Sequence, residues 1–278
     1  MDQKPVRIGV IGIGHLGKHH ARILNELPGA KLVGVVDTNE AIARETGDKY
    51  SVAFFMDYRS LENEVDAISI VVPTTDHHDI AKFFMDRGVH AFIEKPITKT
   101  LDEANDLLNL SHHRQLTLQV GHVERFNAAI IKLQSLTEQP RFIECQRIGP
   151  FPKRGTDVSV VLDLMIHDID IVLSLVKSPI ERIDAVGIPV LTENEDIANA
   201  HIVFKNGCIA NLTASRVSDE VVRKLRIFEM DKYLSLDYAN QAITMRRKES
   251  QEHIVTEELE VHKAEPLRLD LAHFIQCI

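Results

Sequence analysis

The sequence contains no tryptophan, and aromatic residues make up only 5% of its 278 residues. Its three cysteines, Cys145, Cys208 and Cys277, lie far apart and form no CxxC pair. Neither their number nor their spacing supports a disulfide framework. We therefore expect reduced, mostly buried cysteines and a cytoplasmic location.

Basic residues are fewer than acidic residues, and the chain lacks a long hydrophobic run. It has 32 Lys and Arg against 41 Asp and Glu, a net charge of −9, which argues against nucleic acid or an anionic membrane as a partner. No apolar run approaches the roughly 20 residues that cross a bilayer. The first apolar run is short and interrupted by glycines, unlike a signal peptide.

The strongest motif lies between Val6 and Asp37. A predicted strand leads into Gly12-Ile13-Gly14-His15-Leu16-Gly17, followed by a predicted helix over about 15–27. A second apolar run then ends in Asp37, twenty residues beyond Gly17. A GxGxxG loop between a strand and a helix, with an acid at this distance, is the βαβ fingerprint of dinucleotide binding.

Each part of this loop has a physical role. Gly12 allows a tight turn, Gly14 lets a pyrophosphate approach the backbone, and Gly17 lets helix and strand pack closely. Free N–H groups at the helix start attract phosphate, so we predict that the whole loop, including Ile13, His15 and Leu16, binds the cofactor. Asp37, followed by Thr38 and no arginine, favours NAD over NADP. The alternative is a βαβ unit whose glycines serve only turns.

Strands and helices continue to alternate as far as about residue 121. This pattern predicts a parallel Rossmann sheet covered by helices, with ligands beyond the carboxyl ends of its strands. We therefore predict that the cleft is also bordered by residues at two later strand ends, namely Pro73, Thr74, His77, Glu94 and Lys95. Lys95 follows a buried strand directly; it is either a catalytic group that meets the substrate or a solvated lysine paired with Glu94.

The pattern changes in the second half of the chain. After a helix over 122–136, short strands with turn signals such as Asn206-Gly207 predict an α+β domain with a largely antiparallel open sheet. We therefore predict two domains, residues 1–121 and 122–278. The final amphipathic segment has no cap, and we expect the chain to be incomplete at Ile278.

A helix predicted over 158–176 carries a second polar cluster. Asp163, His167 and Asp170 follow one another at i, i+4 and i+7 and are expected to share a face. Histidine exchanges protons near neutral pH, and a carboxylate one turn away can orient it. The alternatives are a surface Asp–His pair or a metal site, but the lack of a further Cys or His ligand nearby argues against zinc.

Taken together, the glycine loop, Glu94-Lys95-Pro96 and Asp163-x-x-x-His167 resemble the glucose–fructose oxidoreductase / inositol dehydrogenase / MocA family over nearly the whole chain. The resemblance implies an NAD(P)-dependent oxidoreductase that acts on a sugar or polyol carbon, without a metal. It places Lys95, Asp163 and His167 in the active site, with Lys95 or His167 as the proton-transfer group. It also implies a homodimer or homotetramer formed through the C-terminal sheet.

Two further stretches, 120–127 and 154–168, resemble the branch of the family that acts on nucleotide sugars. This likeness implies oxidation at the 3-position of a UDP-N-acetylhexosamine. The predicted substrate residues are His122, Arg125, Asn127, Arg154, Asp163 and His167, with Lys153 as a further cation for the diphosphate. The arginines could equally be solvated surface charges. The alternatives for the whole chain are a dehydrogenase of a free polyol or simple sugar, and a non-catalytic NAD-binding sensor.

Overall fold

The computed structural model describes residues 4–151, 158–238, 240–249 and 253–278. The chain forms two compact units, one comprising Met1–Val123 with Leu267–Ile278 and the other Glu124–Pro266. The predicted division after residue 121 lies two residues before this boundary, and the C-terminal segment groups with the first unit. Within the described residues, no helix is both long and apolar enough to cross a membrane.

The first unit is built around a parallel sheet. Its strands are β1 (Val6–Ile11), β2 (Ala30–Val36), β3 (Ala53–Phe55), β4 (Ala67–Ile70), β5 (His90–Glu94) and β6 (Leu118–Gly121). Their order is β3-β2-β1-β4-β5-β6. The helices between them are α1 (His15–Glu26), α2 (Glu40–Tyr50), α3 (His77–Met85) and α4 (Leu101–Arg114), with short 3-10 turns at Tyr58–Leu61 and Thr74–Asp76. The predicted Rossmann architecture is confirmed.

Helix α1 lies directly against the sheet because two positions have no side chain. A Cβ on Gly17 would lie 1.9 Å from the carbonyl oxygen of Gly12. Gly12 has a φ of +89°, and a Cβ there would lie 2.4 Å from the carbonyl oxygen of Val71. Neither position can accept a side chain without a backbone shift, since the atoms in the way belong to the main chain.

The second unit contains an eight-stranded sheet of β7 (Phe142–Ile148), β8 (Ile180–Ile188), β9 (Ile197–Phe204), β10 (Ile209–Ser215), β11 (Val222–Phe228), β12 (Lys232–Asp237), β13 (Ala242–Lys248) and β14 (Ile254–Leu259). The order is β14-β13-β12-β11-β7-β10-β9-β8. Strands β7 and β10 are parallel, and the other neighbours are antiparallel. Alternate residues of β7, β9 and β10 are buried, so one face carries the core, as predicted.

The helical part of this unit differs from the prediction in two places. The single helix predicted over 122–136 is instead a 3-10 turn, Val123–Phe126, followed by α5 (Ala128–Leu136). The side chain of Asn127 accepts a hydrogen bond from the Ala129 amide at 3.0 Å and thereby caps α5. The helix predicted over 158–176 begins with a π-helical turn, Val161–Met165, and continues as α6 (Ile166–Leu175).

The hairpin between β9 and β10 also differs in detail. An Asn-Gly pair is typical of a two-residue turn, but here Lys205, Asn206 and Gly207 connect Phe204 to Cys208, whose backbones are hydrogen bonded at 2.9 Å. Among these three described residues, only Gly207 has a positive φ, +82°. The Asn206 side chain accepts from the Cys208 amide at 3.1 Å instead.

The final helix, α7 (Pro266–Gln276), packs within the first unit. The ring of Phe274 meets that of Phe92 edge-on, with centroids 5.7 Å apart. Gln119 donates to a carboxylate oxygen of Asp270 at 2.7 Å. Of the three cysteines, Cys145 and Cys208 are buried and Cys277 is exposed.

Gly17→Ala should destabilise the first unit, because the new methyl group would force α1 away from β1. We expect a loss of roughly 1–3 kcal/mol, the usual cost of overpacking. The matched control is Gly14→Ala, since a Cβ on Gly14 has nothing within 4 Å and should change stability by less than about 0.5 kcal/mol. Urea unfolding measures both; equal stability of the two variants would contradict the close packing.

Candidate active site

A cleft of about 500 Å³ lies at the carboxyl ends of β1, β2 and β4. Of the predicted cofactor residues, it is lined by Gly12, Gly14, Asp37, Thr38 and Pro73. Apolar side chains form much of the remaining wall: Ile11, Val36, Met56, Tyr58, Val71, Val72 and Ile80. An apolar slot beside a helix start and a carboxylate is suited to an adenosine joined to phosphates.

The backbone at this cleft also fits a dinucleotide. Gly14 precedes the first turn of α1, and the space where its side chain would lie is open. Asp37 is fixed beside it, because one carboxylate oxygen accepts from the Ile13 amide at 2.8 Å and the other from the Asn39 amide at 2.8 Å. Each oxygen keeps a further lone pair for a ribose hydroxyl. His15 and Leu16 are exposed on the first turn of the helix.

His77 has a different environment from the predicted one. Its side chain is buried, with 1% of its surface exposed. Nδ1 lies 2.9 Å from the carbonyl oxygen of Pro96, and Nε2 lies 2.9 Å from that of Val72. A neutral imidazole carries one N–H and can donate to one of these two carbonyl oxygens, while the ring packs against the other, which favours a positioning role over contact with the cofactor. Thr74 begins the 3-10 turn that precedes this histidine.

The predicted turn after β5 is contacted by a buried residue of α1 that the sequence analysis missed. Lys95 is half-buried and follows Glu94, the last residue of the strand. The fully buried His20 lies 3.1 Å from the Glu94 carboxylate through Nε2. His20 follows Gly17 by three residues and shares the buried face of α1 with Ala21 and Leu24. That spacing was the signal in the sequence that could have identified it.

In the second unit, the π-helical turn contains Asp163, and His167 lies in the first turn of α6. Both residues are half-buried, and Nδ1 of His167 is shielded from solvent. Single π-helical turns inside helices occur frequently at functional sites, because they change which side chains share a face. The structure thus supports a special role for this segment independently of its sequence motif.

Some of the predicted substrate-binding side chains of this unit form hydrogen bonds with other groups of the protein. Arg125 donates two hydrogen bonds of 2.6 Å to the two oxygens of Asp170, a bidentate pair. Asn127 caps α5 and is buried. Lys153 and Arg154 lie outside the described residues. His122 follows the end of β6 in the first unit and is half-buried.

A buried ion pair supports the helix that carries His167. Arg147 on β7 donates two hydrogen bonds to Asp168, at 3.0 and 2.9 Å, and a third to Glu124 at 3.2 Å. Burial alone would lower the pKa of Arg147, but the charge and hydrogen bonds of Asp168 raise it above its ordinary value. The guanidinium therefore stays charged, and it fixes the residue next to His167.

No group of three or more His, Cys, Asp or Glu side chains that could hold a metal ion is found among residues 4–151, 158–238, 240–249 and 253–278.

Comparison with known proteins identifies the family. Residues 6–122 match the model described as oxidoreductase family, NAD-binding Rossmann fold, and residues 131–228 match the GFO/IDH/MocA C-terminal domain. The chain belongs to the Gfo/Idh/MocA oxidoreductase family. Its nicotinamide-binding fold and its two-unit organisation are those of the family.

Individual members of this family resemble the chain to different degrees. UDP-N-acetylglucosamine 3-dehydrogenase from Acidithiobacillus ferrooxidans is 41% identical over 239 residues, which cover 86% of this chain and 76% of the relative. A solved structure of that enzyme matches with a TM-score of 0.92 at 36% identity, covering 99% of this chain and 89% of the other. The scyllo-inositol 2-dehydrogenase (NAD(+)) of Bacillus subtilis is 28% identical over 303 residues, covering 98% and 86% of the two chains.

Replacing Arg147 with leucine should destabilise the second unit by roughly 3–5 kcal/mol, because the buried carboxylate of Asp168 would lose its partner. Arg182→Leu is the matched control: Arg182 pairs with Asp184 at 2.8 Å on the surface, and such exposed pairs contribute about 0–1 kcal/mol. Thermal and urea unfolding compare the two. Similar losses in both variants would contradict the assigned role of the buried pair.

Proposed function

We propose that this protein is a cytoplasmic NAD-dependent dehydrogenase that oxidises the 3-hydroxyl group of a UDP-linked N-acetylhexosamine. The observation that carries this proposal is the 41% identity to UDP-N-acetylglucosamine 3-dehydrogenase, which extends over 86% of the chain. The inositol dehydrogenase of Bacillus subtilis is markedly less similar at 28%.

The cleft supports NAD as the cofactor. Asp37 lies in its lining together with Asp76 and Asp79, so the cleft carries negative charge that disfavours a 2′-phosphate. The ribose diol of NAD, in contrast, can donate hydrogen bonds to Asp37. The glycine loop and the first turn of α1 would hold the pyrophosphate, and the nicotinamide, when bound, supplies the hydride acceptor.

The acid–base chemistry falls to Lys95 and His167. We assign His167 as the general base that removes the proton of the sugar hydroxyl, with Asp163 orienting its ring. Lys95 would donate a hydrogen bond to the same oxygen and stabilise the negative charge that develops on it. The reverse assignment, with Lys95 as the base, uses the same two residues and remains the alternative.

A free polyol or simple sugar is the second candidate substrate. The pairing of Arg125 with Asp170 favours it, because a diphosphate would have to share this guanidinium with a carboxylate. Arg154 keeps the diphosphate role that the sequence analysis gave it.

Oligomer formation is a further part of the proposal. Every residue of β8 is exposed, and we propose that the open face of the sheet pairs copies of the chain into a homodimer or homotetramer.

We expect the protein to bind NADH more tightly than NADPH, because Asp37 repels a 2′-phosphate. The double variant Asp37→Ala with Thr38→Arg should reverse this preference, while weakening NADH binding because Asp37 also holds the Ile13 amide. Fluorescence titration measures both affinities. Equal or tighter binding of NADPH by the unaltered protein would contradict the assignment.

Lys95→Ala and His167→Ala should each lower kcat by roughly a hundredfold or more, the usual loss when an acid–base group is removed. Affinity for NADH should change little, because both side chains are assigned to the substrate. Steady-state kinetics and NADH titration separate the two effects. If one of the two variants keeps near-normal turnover, the residue replaced in it has no acid–base role in the reaction.

UDP-N-acetylglucosamine should reduce NAD far better than free N-acetylglucosamine or myo-inositol does. The diphosphate adds charge-assisted hydrogen bonds of roughly 1.5–3 kcal/mol each, and this remote binding energy holds the reacting carbon in place. The assay is NADH formation, with an aminotransferase added to remove the keto sugar. Equal activity on the free polyol would support the second candidate instead.

A further inference from the structure

The turn that carries Lys95 is held by buried side chains on both sides. Glu94 ends β5, and Lys95 and Pro96 follow at once. Lys95 is joined to Pro96 by a cis peptide bond. Two histidines contact this turn, His20 through Glu94 and His77 through Pro96.

His20 fixes the first side of the turn. Its ring is fully buried and packs edge-on against Phe92, with centroids 5.6 Å apart. Nδ1 lies 2.9 Å from the hydroxyl of Ser69 on β4, and Nε2 lies 3.1 Å from a carboxylate oxygen of Glu94. A neutral ring with its proton on Nε2 donates to Glu94 and accepts from Ser69, so both nitrogens are satisfied.

Gly121 confines the Glu94 carboxylate from the neighbouring strand. The two residues are register partners on β5 and β6. A Cβ on Gly121 would lie 2.9 to 3.1 Å from the carboxyl atoms of Glu94, so the carboxylate rests against this glycine. The second carboxylate oxygen of Glu94 accepts a hydrogen bond from the Lys95 amide at 3.3 Å. The Glu94 carboxylate is therefore held from three sides, by His20 of α1, by Gly121 of β6 and by the backbone amide of Lys95.

His77 fixes the second side of the turn. It is the first residue of α3 and is almost fully buried. Its two ring nitrogens face the carbonyl oxygens of Val72 and Pro96, each at 2.9 Å. The imidazole thus spans the space between the residues that follow β4 and those that follow β5.

We infer that His20 and His77 are positioning residues, which hold the turn from Glu94 to Pro96 so that the Lys95 ammonium group stays in its working orientation. The catalytic part of this inference rests on the proposed function of Lys95. Because α1 also begins at the glycine loop, His20 connects the helix of the dinucleotide cleft to the turn of the lysine. Misplacement of a reacting group by about 1 Å costs on the order of a hundredfold in rate.

The first test compares His20→Phe with His20→Gln. Phenylalanine keeps the ring but loses both nitrogens, whereas glutamine can still donate to Glu94 from an amide. We expect His20→Phe to lower kcat by roughly tenfold to a hundredfold, with NADH affinity changed by less than about twofold, and His20→Gln to recover most of the loss. His19→Gln is the matched control, because His19 is the exposed neighbour on the same helix. Unchanged kcat in His20→Phe would overturn the inference.

The second test does not depend on the substrate. Hydrogen–deuterium exchange of the peptide spanning Glu94 to Thr98 is measured in His20→Phe, His77→Phe and Gly121→Ala. The inference predicts faster exchange in this peptide in all three variants, and no change in His19→Gln. Unaltered exchange would overturn it, even if activity fell. If the unaltered protein turns over no sugar, the proposed function fails, while the exchange result alone decides whether these histidines hold the turn.

Discussion

The close approach of helix α1 to the parallel sheet is the constraint on which the first unit depends. There is no room for a side chain between Gly17 and the Gly12 carbonyl. The same approach brings His20 within hydrogen-bonding distance of Ser69 and Glu94. It also leaves the Gly14 backbone open at the start of the helix. The packing of α1 against the sheet therefore positions both the glycine end of the cleft and the turn that carries Lys95.

The second unit is organised by buried charges instead. Arg147 pairs with Asp168, the residue after His167. Arg216 pairs with Asp196 and also donates to the carbonyl of Val158, which precedes the helix. Burial alone would raise the pKa of Asp196, but hydrogen bonds from the Leu191 amide and from Arg216 lower it below its ordinary value. Compared with an apolar pair of the same volume, such an ion pair adds little net stability, but removal of one partner leaves an uncompensated buried charge.

Local patterns in the sequence were sufficient to predict the fold class of both units. The glycine loop, the alternating elements and the hairpin signals gave both sheets, because each depends on neighbours in the chain. Contacts between distant residues could not be predicted: Arg125 with Asp170, His77 with the Pro96 carbonyl, and α7 with Phe92. The π-helical turn at Asp163 leaves no sequence periodicity to detect. Motifs in the sequence therefore indicated candidate site residues, whereas the side chains that contact them could be named only from the structure.

We propose that hydride leaves carbon 3 of the sugar of a nucleotide-linked substrate. It is tested most directly with UDP-N-acetylglucosamine that carries deuterium at that carbon, incubated with the protein and NAD. Mass spectrometry of the product should show NADH one mass unit heavier, because the C–²H bond breaks with its electron pair and the hydroxyl proton leaves separately. NADH of ordinary mass, with deuterium retained in the sugar, would contradict the account.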